Sequence, residues 1–178
     1  MRAGILVLGP LLAKYKKAKI SLPGGCAIGT RPVNLHLFAL KKLGAKIKIK
    51  NGYIYAEAKH GLRGNKINFP SISVGATENA ILAAVQASGK TVLKNCAIEP
   101  EIGDLVVYLK KLGSKIKIIK RTIYISGSDK IFTVNHNVIL DRIELGTYLI
   151  AGAVCAKKLT FSNVNPKLIK TEISVLKK

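Results

Sequence analysis

The chain has 178 residues, enough for one ordinary domain or one and part of a second. Its 48% hydrophobic content and mean hydropathy of +0.25 are ample for a packed core and exclude a disordered chain. Thirty Lys and Arg stand against nine Asp and Glu, a net charge of +21, so anionic partners are the first class to weigh. The pattern of that charge argues against nucleic acid. Lysine alternates with isoleucine in Lys46–Lys50 and Lys115–Lys120, as on the solvated face of a strand. There is no arginine-rich tract, no tryptophan and only 6% aromatics for stacking on bases. Tyr53, Tyr55 and Tyr124 read as packing residues of hairpins.

Cys26, Cys96 and Cys155 are too widely spaced for a CxxC motif, and an odd, unclustered set fits a reducing cytoplasm. His36, His60 and His136 are equally isolated, so neither a metal site nor a cofactor is expected. The N-terminal apolar run Ala3–Ala13 has a single preceding arginine and no small-x-small cleavage pattern. No apolar run approaches the ~18 residues that a spanning helix needs. The run is expected to be a buried helix of a soluble protein that does not engage membranes.

The next stretch, Ser21–His36, reads SLPGGCAIGTRPVNLH. Its glycines allow positive φ or close approach to a ligand, and Pro23 and Pro32 fix φ on either side. A thiol, Cys26, and a fixed cation, Arg31, suggest a site for an anionic, electrophilic substrate. The same residues also fit a tight surface turn with an incidental cysteine.

Beyond the loop a repeat begins. Leu37–Ala58, LFALKKLGAKIKIKNGYIYAEA, matches Val106–Ser128, VVYLKKLGSKIKIIKRTIYISGS, with the two LKKLG pieces 69 residues apart (Leu40 and Leu109). Each copy predicts an amphipathic helix (Leu35–Leu43 and Leu105–Leu112) stopped by Gly44 or Gly113, then a strand, a turn and a second strand. Asn51-Gly52 is a strong hairpin signal. Between the copies an alanine-rich helix is expected over Thr77–Ser88, leading to a short strand, TVLKN. The same helix–strand theme recurs over Leu145–Asn163. A third copy starts at Pro166, which answers Pro100, and runs to the VLKK of Val175–Lys178, one residue short of the expected Leu-Gly stop. The expectation is therefore a piece of something larger.

The loop PGGCxIGxRPVxLH resembles the cysteine loop of the bacterial UDP-N-acetylglucosamine enolpyruvyl transferases. MRAGILVLGPLLA, SVGATEN, EPEIGD and DRIELGTYL match in the same order. The resemblance covers the whole chain, but only a central portion of the family's length. It implies an α/β (α+β) architecture, the incomplete inside-out α/β barrel of repeated βαβ-type units of the enolpyruvyl transferase (EPSP synthase-like) fold. By the same resemblance, residues 1–139 form most of the cysteine-loop domain without its N-terminal segment. Residues 140–178 form the crossover and a truncated start of the second domain.

The implied activity is transfer of the enolpyruvyl group from phosphoenolpyruvate to the 3′-hydroxyl of UDP-N-acetylglucosamine in the cytoplasm, opening peptidoglycan synthesis. Cys26 matches the family's catalytic cysteine, proton donor to the methylene carbon and target of epoxide antibiotics. Arg31 and Arg2 match arginines at the substrate anions. Pro32, Val33, Asn34 and Leu35 match the segment beside the uridine, with Asn34 in place of the usual aspartate. Ser71, Ile72, Ser73, Val74 and Gly75 match the segment whose N–H groups meet the diphosphate, with Ser71 where a basic residue is common. Glu99 and Asp141 are candidates for supporting roles, against ion-paired structural ones. The family's Lys-Asn pair falls before residue 1. Its general-base aspartate and further substrate arginines fall after residue 178, so the chain alone is expected to lack useful turnover unless a separately encoded remainder joins it. Two other readings are a non-catalytic remnant or interaction module, and a basic nucleic-acid binder.

Overall fold

The structure is a computed structural model describing residues 2–24, 32–128 and 132–177. It divides into two compact units, Met1–Asn135 and His136–Lys178.

In the first unit, a 3-10 turn over Arg2–Val7 runs into α1 (Leu8–Tyr15) and then β1 (Lys17–Ser21). Helix α2 (Asn34–Lys42) is followed by the hairpin of β2 (Lys46–Lys50) and β3 (Tyr53–Glu57). Then come β4 (Lys66–Asn68), α3 (Val74–Ala84), β5 (Lys90–Lys94), α4 (Pro100–Lys111), β6 (Lys115–Ile119) and β7 (Thr122–Ser126). The strands form two sheets, ordered β1-β3-β2 and β4-β5-β7-β6. Every pairing is antiparallel except β4 with β5.

The 69-residue repeat is visible as topology. In both copies a strand (β1 or β5) leads through a helix (α2 or α4) to a hairpin whose second strand inserts between the other two. Both LKKLG segments close their helices in the same way. Gly44 (φ 98°) and Gly113 (φ 101°) take the left-handed position. Gly44 donates to Lys41 O and Ala45 to Leu40 O; Gly113 donates to Lys110 O and Ser114 to Leu109 O. That is the Schellman pattern, which satisfies the last carbonyls of the helix. Asn51 (φ 51°) and Gly52 (φ 75°) turn the first hairpin as expected.

The helices lie inside and the sheets outside. Helix α3 packs against α1, α2 and α4 and buries Ala76, Thr77, Asn79, Ala80, Ile81, Ala83 and Ala84. A helix apolar on nearly all sides belongs at the centre of a core, and small side chains let its neighbours come close. Each sheet turns one row inward, Ile54 and Ala56 from β3, Ile123 and Ile125 from β7, and leaves lysines on the other. Beside Gly9, α1 and α3 come close together. A Cβ there would collide with Asn79 Oδ1 and lie 2.6 Å from the Asn79 carbonyl oxygen.

Three expectations need correction. Helix α4 starts at Pro100, five residues before Leu105, because Pro100 occupies the first turn, where its missing N–H costs nothing. Strands β1 and β4 were not foreseen; KAKIS and KIN are too short for alternation to stand out. In the second unit, α5 (Arg142–Cys155) is followed by irregular chain and not by the strand expected within Leu145–Asn163. A strand needs a neighbour to satisfy its N–H and C=O groups, and among the described residues this unit holds no other strand. Pro166 opens a 3-10 turn (Pro166–Ile169) leading into α6 (Lys170–Leu176), paralleling the role of Pro100.

The Asn79 junction sets a stability test. Asn79→Ala would strand the Gly9 N–H and the Ile5 carbonyl, at about 2–4 kcal/mol in total. Gly9→Ala should cost about 1–3 kcal/mol through overpacking. Urea unfolding midpoints check both, and an unchanged midpoint in either would contradict the packing described.

Candidate functional site

The segments matched to nucleotide-sugar binding flank two helix starts. Ser73 is the N-cap of α3. It is extended (φ −148°, ψ 124°), and its Oγ accepts from the Ala76 N–H at 3.3 Å. Thr77, fully buried, donates from Oγ1 to Ser73 O at 2.7 Å and accepts from the Ala97 N–H at 3.1 Å. These bonds fix the first turn of α3, while Ser71 and Ile72 just before it are exposed. The free N–H groups of this turn, with the positive end of the helix dipole, suit an anion. No acidic side chain stands in that turn to occupy them.

Pro32 and Val33 lead into α2, whose first residue is Asn34. Pro32 and Asn34 are exposed, Val33 and Leu35 half-buried. One residue on, His36 is buried at 8% exposure, and its ring touches the other segment. A Cβ on Gly75 would lie 3.2 Å from His36 Cε1 and 3.5 Å from Nε2. Gly75 thus admits the imidazole against the opening of α3. Sequence reasoning named both segments but passed over His36 as an isolated histidine. The only available signal was its place as the last residue of the loop motif.

His36 is held by Asn79. The Asn79 amide accepts from Gly9 N–H at Oδ1 (2.8 Å) and donates from Nδ2 to Ile5 O (3.0 Å), which fixes the orientation of the amide. Its remaining N–H meets His36 Nδ1 at 3.2 Å, so Nδ1 must be the acceptor and the proton of the neutral ring sits on Nε2. Burial agrees, lowering the His36 pKa to about 4.

Pro32, Val33 and Asn34 also line a cleft of about 540 Å³ with Phe38 and Lys41 of α2 and Ile49 of β2. Ser71–Gly75 takes no part in that cleft; the two segments meet through His36 and Gly75. Cys26 and Arg31 lie outside the described residues, as does the side chain of Arg2, whose backbone belongs to the first 3-10 turn. Cys96 offers a contrast to a reactive thiol, because it is fully buried and burial pushes its pKa up to about 11.

Glu99 and Asp141 both accept backbone N–H groups. Glu99 is the N-cap residue of α4, and its Oε2 accepts from the Ile98 N–H at 2.8 Å. Asp141 caps α5 in the second unit, its Oδ1 accepting from Ile143 N–H at 2.8 Å and Glu144 N–H at 3.2 Å. Of the two, Asp141 caps its helix with its side chain, whereas the Glu99 carboxylate bonds the N–H preceding its own residue and none in α4. Glu78 has its pKa raised by burial first and by the nearby Glu101 charge second. Among the described residues, no group of three or more His, Cys, Asp or Glu is placed to hold a metal ion, and no helix is long and apolar enough to cross a membrane.

Residues 1–178 match the family model of EPSP synthase (3-phosphoshikimate 1-carboxyvinyltransferase). The chain belongs to this family. Among curated relatives, this EPSP synthase family member is 60% identical over its full length to the UDP-N-acetylglucosamine 1-carboxyvinyltransferase of Pelagibacter ubique and 52% identical to that of Endomicrobium trichonymphae. It is 49% identical over 99% of its length to that of Caulobacter vibrioides. It spans about 43% of the first two relatives and 42% of the third. Among solved structures, the enolpyruvyl transferase NikO from Streptomyces tendae superposes with a TM-score of 0.71 at 23% identity, over 86% of this chain and 37% of that one. An EPSP synthase from Acinetobacter baumannii gives 0.66 at 19% identity, over 85% and 34%. The family fold that the resemblance implied is therefore the fold observed, with no closed barrel among the described residues.

The neutral His36 gives a pH test. Its unfolded pKa, near 6.5, exceeds the folded value of about 4, so the unfolded chain binds the proton more tightly. The stability this group contributes is complete above about pH 6.5 and is lost progressively as pH falls toward 4. His36→Asn keeps an acceptor for Asn79 and removes the titration. Its urea midpoint should fall less between pH 6.5 and 4 than that of the parent chain; an identical pH profile would contradict a depressed His36.

Proposed function

We propose that this chain carries the cysteine loop and part of the nucleotide-sugar surface of a cytoplasmic enzyme that transfers the enolpyruvyl group of phosphoenolpyruvate to the 3′-hydroxyl of UDP-N-acetylglucosamine. Identity of 60% across the whole chain to a relative of that activity supports the reading. The observation that carries it structurally is the contact of His36 with Gly75, because it joins the Pro32–Leu35 and Ser71–Gly75 segments into one surface. On that surface the N–H groups at the start of α3 would take the diphosphate, and the backbone of Pro32–Leu35 the uracil. Asn34, in place of aspartate, would offer an amide contact where a carboxylate is usual.

In the reaction, the sugar hydroxyl gives up its proton to a general base and adds to C2 of phosphoenolpyruvate, while the Cys26 thiol delivers a proton to the methylene carbon. Phosphate then leaves, and loss of a methyl proton restores the double bond. Arg31 and Arg2 would bind the substrate anions, as fixed guanidinium groups can in bidentate fashion. Glu99 and Asp141 would have supporting roles, Glu99 by fixing the Ile98 N–H before α4 and Asp141 by capping α5.

The fold's division also fits a protein whose active site needs more than this stretch. Helix α5 is largely apolar, as α3 is, and lies one repeat later, yet Ile143 (62%), Ile150 (49%) and Val154 (79%) are exposed. An apolar helix with such faces open fits a second domain built around it. The chain by itself is accordingly expected to bind substrate weakly and to show no useful turnover.

Mass spectrometry after treatment with an epoxide mimic of phosphoenolpyruvate tests the site. UDP-N-acetylglucosamine should accelerate an adduct at Cys26 over that at exposed Cys155, with buried Cys96 inert. Equal labelling of Cys26 and Cys155, unaffected by the nucleotide sugar, would sink the assignment.

A further inference from the structure

The outer face of the β1-β3-β2 sheet takes no part in the reading above. Ile54 and Ala56 turn inward from β3, which leaves Tyr53, Tyr55 and Glu57 outside. The register sets Lys19 and Lys48 on either side of Tyr55, Ser21 and Lys50 beside Tyr53, and Lys17 and Lys46 beside Glu57. Tyr53 and Tyr55 are 42% and 39% exposed, with ring centroids 6.5 Å apart. The Lys19 ammonium lies over both, at 4.5 Å from Tyr53 and 5.2 Å from Tyr55. Read from sequence as packing residues, these tyrosines instead stand on the solvated side between two lysine rows.

We propose that this face binds single-stranded nucleic acid, with bases stacking on Tyr53 and Tyr55 and phosphates held by the lysines of β1 and β2. Alternate residues of a strand are about 6.7 Å apart and neighbouring strands about 4.8 Å. The face therefore presents an aromatic track down its middle strand and a cationic track on each side. Open aromatics on a sheet flanked by positive charge suit unpaired bases, which every sequence offers as π-faces. A duplex hides those faces. An anionic bilayer would use the lysines, but it would find no Trp, Phe or Leu on the face to insert. The sequence argued against stacking from low aromatic content; two well-placed rings suffice where a sheet aligns them. The second copy supplies an internal comparison. Its outer rows are Lys90–Ser126–Lys115 and Val92–Tyr124–Lys117, with Thr122 where the first copy has Tyr53. Charge is similar there, but one ring is missing.

Fluorescence anisotropy of the whole chain with a labelled oligothymidylate tests the proposal, beside a duplex of matched length and vesicles of phosphatidylglycerol and phosphatidylcholine. Tyr53→Thr with Tyr55→Thr keeps β propensity and should weaken single-strand binding about tenfold or more. Lys19→Gln with Lys48→Gln should reduce the slope of log affinity against log salt by about 1.4, at ~0.7 per phosphate contact. Lys115→Gln with Lys117→Gln should change both much less. Photo-crosslinking of the unsubstituted chain should label Tyr53 or Tyr55, a readout that does not depend on any variant folding. Undiminished binding by the tyrosine variant, equal losses from the lysine pair in the second copy, crosslinks elsewhere, or preference for duplex or vesicles would each overturn the proposal.

Discussion

One buried amide holds the first unit together where its helices converge. Asn79 joins the 3-10 turn through Ile5, α1 through Gly9 and α2 through His36, all from the centre of α3. A side-chain amide so deep in a core is costly unless its donors and acceptor are met. Here each is met by a different element, so the elements cannot shift independently without breaking a bond. Gly9 completes the arrangement, because any larger residue would hold α1 away from the amide it must reach.

That constraint passes outward to the surface proposed for substrate. With Asn79 fixed, His36 has one tautomer and one place, against Gly75 at the opening of α3. The start of α3 is independently set by Ser73 and Thr77, and Thr77 also reaches the Ala97 N–H before α4. The two sequence segments thus meet on a scaffold of satisfied hydrogen bonds and not on a flexible loop. Repetition supplies the frame. Two copies of the same strand–helix–hairpin unit, each with its Schellman glycine, put their sheets outside and leave the centre to helices.

The outward faces of those sheets follow a different logic. Lysines at alternate positions keep the outer strands soluble and discourage edge pairing, which accounts for the lysine rows in both copies. It does not account for the paired open tyrosines of the first.

Much of this was legible in the residues alone. The glycine stops at Gly44 and Gly113, the Asn51-Gly52 turn and the loop motif are local signals, written in neighbours a few positions apart; the 69-residue period repeats such a local pattern, and the resemblance carried by the motifs implied the family fold. What the residues alone left open needed contacts between distant parts of the chain. Asn79 and His36 are 43 positions apart and Asn79 and Gly9 are 70, and no short-range pattern marks such a pair. The strand expected after α5 carried the right local echo, but a strand exists only where another chain segment accepts its hydrogen bonds, and that depends on tertiary structure. Likewise the sequence could say that Tyr53 and Tyr55 share a strand face. Which face looked to solvent was decided by the burial of Ile54 and Ala56 against the helices.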